Sequence, residues 1–168
     1  AVALAAGTDE LAAPAWRDRL PAALRALIER AEEHPDDAEA MFRTMTPASM
    51  IEMIHAGSHE GDLAVYRAPG FAAAFEAALA EGFAQGPGGY ARDTLLAMRR
   101  WTFDLGAIRC PVQLWYGEQD TSPVHSLDHG ASLARRIPGA TLTVVRGAGG
   151  ALPWTHGAEI LGALRARR

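Results

Sequence analysis

No lysine occurs in the 168 residues; all 16 basic residues are arginine. Together with the heavy alanine content, this points to a GC-rich coding sequence and carries no functional message. A basic surplus is also missing. The 20 acidic residues outnumber the basic ones and leave a formal net charge of −4, which sets aside nucleic acid and anionic membranes as partners. No stretch approaches the ~20 apolar residues of a membrane-spanning helix. The single cysteine, Cys110, excludes an internal disulfide. It opens the apolar run Cys110-Pro111-Val112-Gln113-Leu114-Trp115 and is expected to be a buried thiol. The apolar start, Ala1 to Ala6, lacks the basic leader and the length of a secretion signal. A cytoplasmic location is therefore expected.

What is present suits a packed domain. Apolar residues make up 49%, and the length fits one ordinary domain. Ala1 to Gly7 reads as a short buried strand. From Trp16 to Glu33 the apolar residues Leu20, Leu24, Leu27, Ile28 and Ala31 fall at helical spacing. Further helices are predicted from Pro35 through Phe42, from Pro47 over Met50, Ile51 and Ile54, from Phe71 to Phe83 and from Tyr90 to Arg100, with a loop at Gly57 to Gly61. Val112 to Tyr116 and Thr141 to Val145 read as strands. Asp128 to Arg136 and His156 to Ala166 read as helices, and Gly147 to Gly150 as a loop. The closing alternation of strand and helix is the pattern of a parallel sheet.

Residues 101–120 end in Cys110-Pro111-Val112-Gln113-Leu114-Trp115-Tyr116-Gly117-Glu118-Gln119-Asp120. This segment resembles the approach to the penultimate strand of α/β-hydrolases, where a Gly-x-x-Asp turn carries the acid of the Ser-Asp-His triad. Leu133-Ala134-Arg135-Arg136-Ile137-Pro138-Gly139-Ala140 is similar to the helix and turn before the last strand of that family. A weaker likeness covers Phe83-Ala84-Gln85-Gly86-Pro87-Gly88-Gly89-Tyr90, at the end of the helical cap. The resemblance implies a partial α/β-hydrolase fold, α/β in class, with about three parallel strands and a helical cap insertion. It divides the chain into a first strand at 1–14, a helical cap at 15–100 and a C-terminal αβ part at 101–168. It also implies that Asp120 is the triad acid. Physically, an Asp at the carboxyl end of a parallel strand opens onto the shared crevice and can orient a base. The competing reading of Asp120 is a turn residue that bonds its own loop.

Two of the family's parts are missing. The nucleophile elbow, Gly-x-Ser-x-Gly, does not occur; Gly57-Ser58-His59-Glu60-Gly61 places its serine one position early, after a helical pattern. The family's Gly-x-Gly-His after the last strand reads Gly147-Ala148-Gly149-Gly150, so Gly150 stands where the base would be. Glycine moves no proton. His156 is the candidate substitute base, against its reading as an ordinary helix-start residue. His125 and His129 lie four apart and would share a helical face near Asp128, but no third metal ligand is in register, and neither a metal nor a cofactor is expected. Tyr90, Trp101, Trp115 and Trp154 are read as packing residues. Met41, Met45, Met50 and Met53 are read as cap core or as the lining of an apolar acyl pocket.

The expectation is a hydrolase-family protein acting on an ester or amide bond of a small molecule. It bears the triad acid but lacks the serine and the usual histidine, as an N-terminal truncation would leave it. The alternatives are a non-catalytic ligand-binding module and one subunit of a split hydrolase. An apolar first strand without Lys or Pro invites pairing. Self-association, or a chain supplying the N-terminal half, is expected.

Overall fold

The computed structural model describes residues 1–166. In chain order the elements are β1 (Val2–Ala5), a 3-10 turn (Pro14–Trp16), α1 (Ala22–Glu33), α2 (Pro35–Phe42), α3 (Pro47–Gly57), α4 (Glu60–Tyr66), α5 (Pro69–Gly82), α6 (Gly88–Met98), a second 3-10 turn (Leu105–Ala107), β2 (Val112–Gly117), α7 (Ala131–Arg136), β3 (Thr141–Val145), α8 (Leu152–Thr155) and α9 (Gly157–Arg165). They form two units. One holds the strands and comprises residues 1–9, 58–65 and those from 102 onward; the other is helical and comprises 10–57 and 66–101. Residues 58–65, inside the span 15–100 expected as a helical insertion, thus fold with the strands.

In the sheet unit the three strands are parallel in the order β1-β2-β3. Ala5 pairs with Trp115, which pairs in turn with Thr143. As the middle strand, β2 is buried at every position, which suits its unbroken apolar run. The period of two sends Trp115 to one face, where it packs with Leu152 of α8 and Ile160 of α9 beside Ala3, Ala5 and Val145. Gln113 shares that face and is satisfied there: its Nε2 donates to the Ala163 carbonyl at 3.0 Å. Tyr116 points to the other face, fully buried, and its hydroxyl donates to the Gly7 carbonyl at 3.1 Å. Gly130, with a φ of +81°, lies so close to the Tyr116 ring that a side chain there has no room. β1 pairs only with β2 among the described strands.

The helical unit follows its apolar spacing. Leu24, Ile28 and Ala31 form the inner face of α1, Ala38 and Phe42 that of α2, and Ala91, Leu95 and Met98 that of α6. These helices pack on one another. Pro35, with Asp36 and Asp37 in the first turn, starts α2 as the fixed φ of proline and the helix dipole favour. Helices α3 and α5 bury no residue fully, although Tyr66, Phe71 and Phe75 stack at 5.7 to 6.2 Å.

Several expectations change. Met41 and Met53 are exposed, because Phe42 and not Met41 takes the inward position on α2 and α3 has no buried face. Met98 is the buried methionine. Trp154 is 59% exposed on the one-turn helix α8, and Cys110 is exposed because the strand begins only at Val112. The loop expected at Gly57 to Gly61 ends early, and α4 starts at Glu60, with the His59 ring accepting the Gly61 N–H at 3.1 Å. No helix among the described residues is long and apolar enough to cross a membrane.

Burial, aided by the carboxylates of Asp9, Asp128 and Asp120, pushes the Tyr116 phenol well above its ordinary value of 10.0. The unfolded chain therefore loses this proton at lower pH than the folded one. The neutral phenol's contribution to stability is complete below about pH 10 and declines above it. Tyr116→Phe is expected to cost about 1 kcal/mol at neutral pH through the lost hydrogen bond and to flatten the alkaline fall. Urea titrations at pH 7 and pH 11 check this; equal slopes with pH in both proteins would refute it.

Candidate active site

The three loops that follow the strands meet at the carboxyl end of the sheet. After β1, the Gly7 carbonyl accepts the Tyr116 hydroxyl and the Ser126 N–H, the latter at 3.0 Å. After β2, the backbone turns from Gly117 to Asp120, whose N–H returns to the Gly117 carbonyl at 3.2 Å. After β3, the carbonyls of Val145 and Ala148 accept the N–H groups of Glu118 and Gln119 at 3.0 and 2.8 Å. This last contact depends on Gly117: a Cβ there would collide with the Ala148 and Gly149 carbonyls, and no side chain can adjust because the obstacles are backbone.

Asp120 is placed by this turn. Its side chain is 3% exposed. Oδ1 accepts the Ser122 N–H at 3.0 Å, and Oδ2 lies 2.7 Å from Nδ1 of His125. Asp120 therefore bonds its own loop, as its competing reading has it, and its other oxygen meets an imidazole. An ionised carboxylate only accepts, so this contact favours the tautomer with the proton on Nδ1, which in a neutral ring leaves Nε2 as the acceptor. The His125 ring is 27% exposed. Its Cε1 is 3.2 Å from the point where a Cβ on residue 150 would stand, and Asp120 Oδ1 is 3.1 Å from the same point. Gly150 thus adjoins Asp120, and the imidazole at that carboxylate comes from the loop after β2.

A second carboxylate fixes the loop after β3. Asp62 of α4, 5% exposed, accepts the Gly150 N–H at 2.8 Å on Oδ2 and the Ala151 N–H at 2.9 Å on Oδ1. It fills the space where a Gly149 side chain would stand. Sequence reasoning missed Asp62, because an acidic residue in a polar stretch reads as solvated and its partners lie 88 and 89 positions away.

The other candidates fall elsewhere. The ring of His156 meets the Thr155 hydroxyl at 2.8 Å, since α8 intervenes and puts this residue at the start of α9. It is not the imidazole that meets Asp120. Ser58 lies between two helices, α3 and α4, and not on a strand-to-helix turn. His125 and His129 do not share a helical face: α7 begins at Ala131, and His129 has a φ of +51°. Asp128 instead accepts the Ser132 N–H at 2.9 Å at the start of α7. Among the described residues no three His, Cys, Asp or Glu side chains cluster as a metal site.

No family model and no curated protein matches the sequence. Solved structures resemble the fold. Est816, described as an N-acyl homoserine lactone degrading enzyme, is 17% identical with a TM-score of 0.54, over 98% of this chain and 56% of that one. A thermophilic esterase from Thermogutta terrifontis, malate bound, is 19% identical with a TM-score of 0.47, over 96% of this chain and 51% of that one. The esterase EaEST from Exiguobacterium antarcticum is 14% identical with a TM-score of 0.45, over 89% and 47%. The fold comparison rests on the first of these. The chain spans about half the length of the structures it matches. Three parallel strands among many helices, aligned over nearly the whole chain, make this a partial α/β fold of the α/β-hydrolase-like kind.

Proposed function

We propose that this chain is the acid-bearing part of an esterase-type hydrolase acting on carboxylic esters or lactones. One observation carries the reading: Asp120, nearly buried at the carboxyl end of the middle strand, offers Oδ2 to an imidazole at 2.7 Å. A serine hydroxyl attacks a carbonyl only when a base takes its proton, and a base works best when a carboxylate fixes its tautomer and stabilises its charged form. The acid is present here. The elbow serine is absent from the sequence, and a polypeptide carrying Gly-x-Ser-x-Gly is the partner we assign. Its strands would extend the sheet beside β1, the outer strand opposite β3. The helical unit, residues 10–57 and 66–101, is assigned the role of cap.

The pure chain is expected to hydrolyse short-chain p-nitrophenyl esters no faster than free imidazole does. Mixing it with the elbow-bearing half of an esterase of this fold should yield a heterodimer by size-exclusion chromatography and turnover that neither part has alone. Asp120→Asn should abolish that turnover, because the amide favours the wrong imidazole tautomer. Serine-type turnover by the unmixed chain, or a mixture indifferent to Asp120→Asn, would overturn the reading.

A further inference from the structure

The imidazole that meets Asp120 comes from the loop after β2. We infer that His125, supplied by the loop after β2, is the base of the site in place of a histidine at position 150. This inference rests on the hydrolase reading above.

Four observations converge on it. The Asp120 carboxylate divides its oxygens, Oδ1 to the Ser122 N–H and Oδ2 to His125 Nδ1, so the second oxygen is committed to this ring and fixes its tautomer. The His125 side chain remains 27% exposed, and Nε2 is the ring nitrogen that Asp120 does not engage. Residue 150, which would otherwise compete for the same place, has no side chain. A Cβ there would sit 3.1 Å from Asp120 Oδ1 and 3.2 Å from His125 Cε1, so a side chain on position 150 would crowd the His125 ring and compete with it for Asp120. Asp62 holds the Gly150 backbone from behind through its N–H, which keeps that space open for His125.

Nε2 of His125 accepts the proton of the serine hydroxyl as its oxygen bonds to the ester carbonyl carbon. The carbon–oxygen bond to the alcohol then breaks, and the proton on Nε2 passes to the departing alkoxide. Water repeats the sequence on the acyl-serine, giving up its proton to Nε2 and releasing the acid while the serine regains its hydrogen. The net change is ester plus water to acid plus alcohol.

A purely structural histidine would cap its turn without enhanced reactivity, so the test reads reactivity on the chain as it stands. The protein is treated with diethyl pyrocarbonate near neutral pH, and the rate at each of the six histidines is followed by peptide mass spectrometry. His125 is expected to react faster than His129 and His156. In Asp120→Asn its rate should fall about tenfold, as loss of a charge-assisted hydrogen bond implies. A His125 rate no higher than that of His156, or one unchanged by Asp120→Asn, overturns the inference. In the mixture with an elbow-bearing half, His125→Ala should abolish turnover, His156→Ala should not, and His125→Ala combined with Gly150→His should restore part of it. Turnover lost with Asp120→Asn but kept with His125→Ala sinks this inference and leaves the hydrolase reading standing; turnover indifferent to Asp120→Asn sinks that reading itself.

Discussion

Gly117→Ala is expected to destabilise the sheet unit by about 3 kcal/mol or more, a large effect for one methyl group. The new Cβ would press on the carbonyls of Ala148 and Gly149 and stand 2.7 Å from the Ala148 carbonyl carbon. A flexible side chain could swing away from such a contact; these are backbone atoms, so the whole loop after β3 must retreat. That retreat breaks the Gln119 N–H to Ala148 carbonyl bond at 2.8 Å and pulls Gly150 away from Asp120. Guanidinium titration should show a lowered midpoint with an unchanged slope. Gly162→Ala is the matched control: a Cβ there meets nothing within 4 Å, on helix α9. It should stabilise the protein by about 0.5–1 kcal/mol. Equal effects of the two substitutions would show that close approach at Gly117 is not what requires glycine.

Asp62→Asn is expected to cost about 2–5 kcal/mol, although it changes a single atom. The carboxylate receives two N–H groups, one on each oxygen, at 2.8 and 2.9 Å. An amide keeps one acceptor and places an NH2 against the other donor, so one buried N–H loses its partner and faces another donor. Asp62→Ala removes both acceptors but leaves room that water can enter, so it should be no worse than Asn. The check is the unfolding free energy of the two variants together with the diethyl pyrocarbonate rate at His125. Loosening of the Gly150 loop should alter that rate while Asp120 and His125 are chemically intact. A stability change below about 0.5 kcal/mol in Asp62→Asn, within the range of ordinary surface substitutions, would show that the carboxylate is not structurally required.

Much of this arrangement could be read from the chain itself, for identifiable reasons. The run Val112 to Tyr116 is apolar throughout because a middle parallel strand is covered on both faces, and Gly117 to Asp120 follows it as a turn. The alternation after Trp101 gave the parallel order. The Gly147 to Gly150 stretch was recognisable as a loop. The identity of the imidazole at Asp120 was not recognisable. A spacing of four between His125 and His129 suggested a helix, whereas the chain from Ser122 to Gly130 folds as successive turns, with His125 N–H bonded to the Ser122 carbonyl and His129 N–H to the Ser126 carbonyl at 3.2 and 3.1 Å. Pro123 and Gly130 were the available signals for turns. Asp62 was hidden for a different reason: its bonds cross most of the chain, and no local pattern records them. Trp154 and Cys110 show the limit of hydrophobicity as a guide, since a one-turn helix and a pre-strand bend leave apolar side chains in water.

The crowding around Gly150 also constrains how this site can change over generations. With His125 in place, a histidine arising at position 150 meets an occupied volume and a carboxylate already bonded. The two positions are therefore coupled: the effect of Gly150→His is expected to depend on which residue stands at position 125.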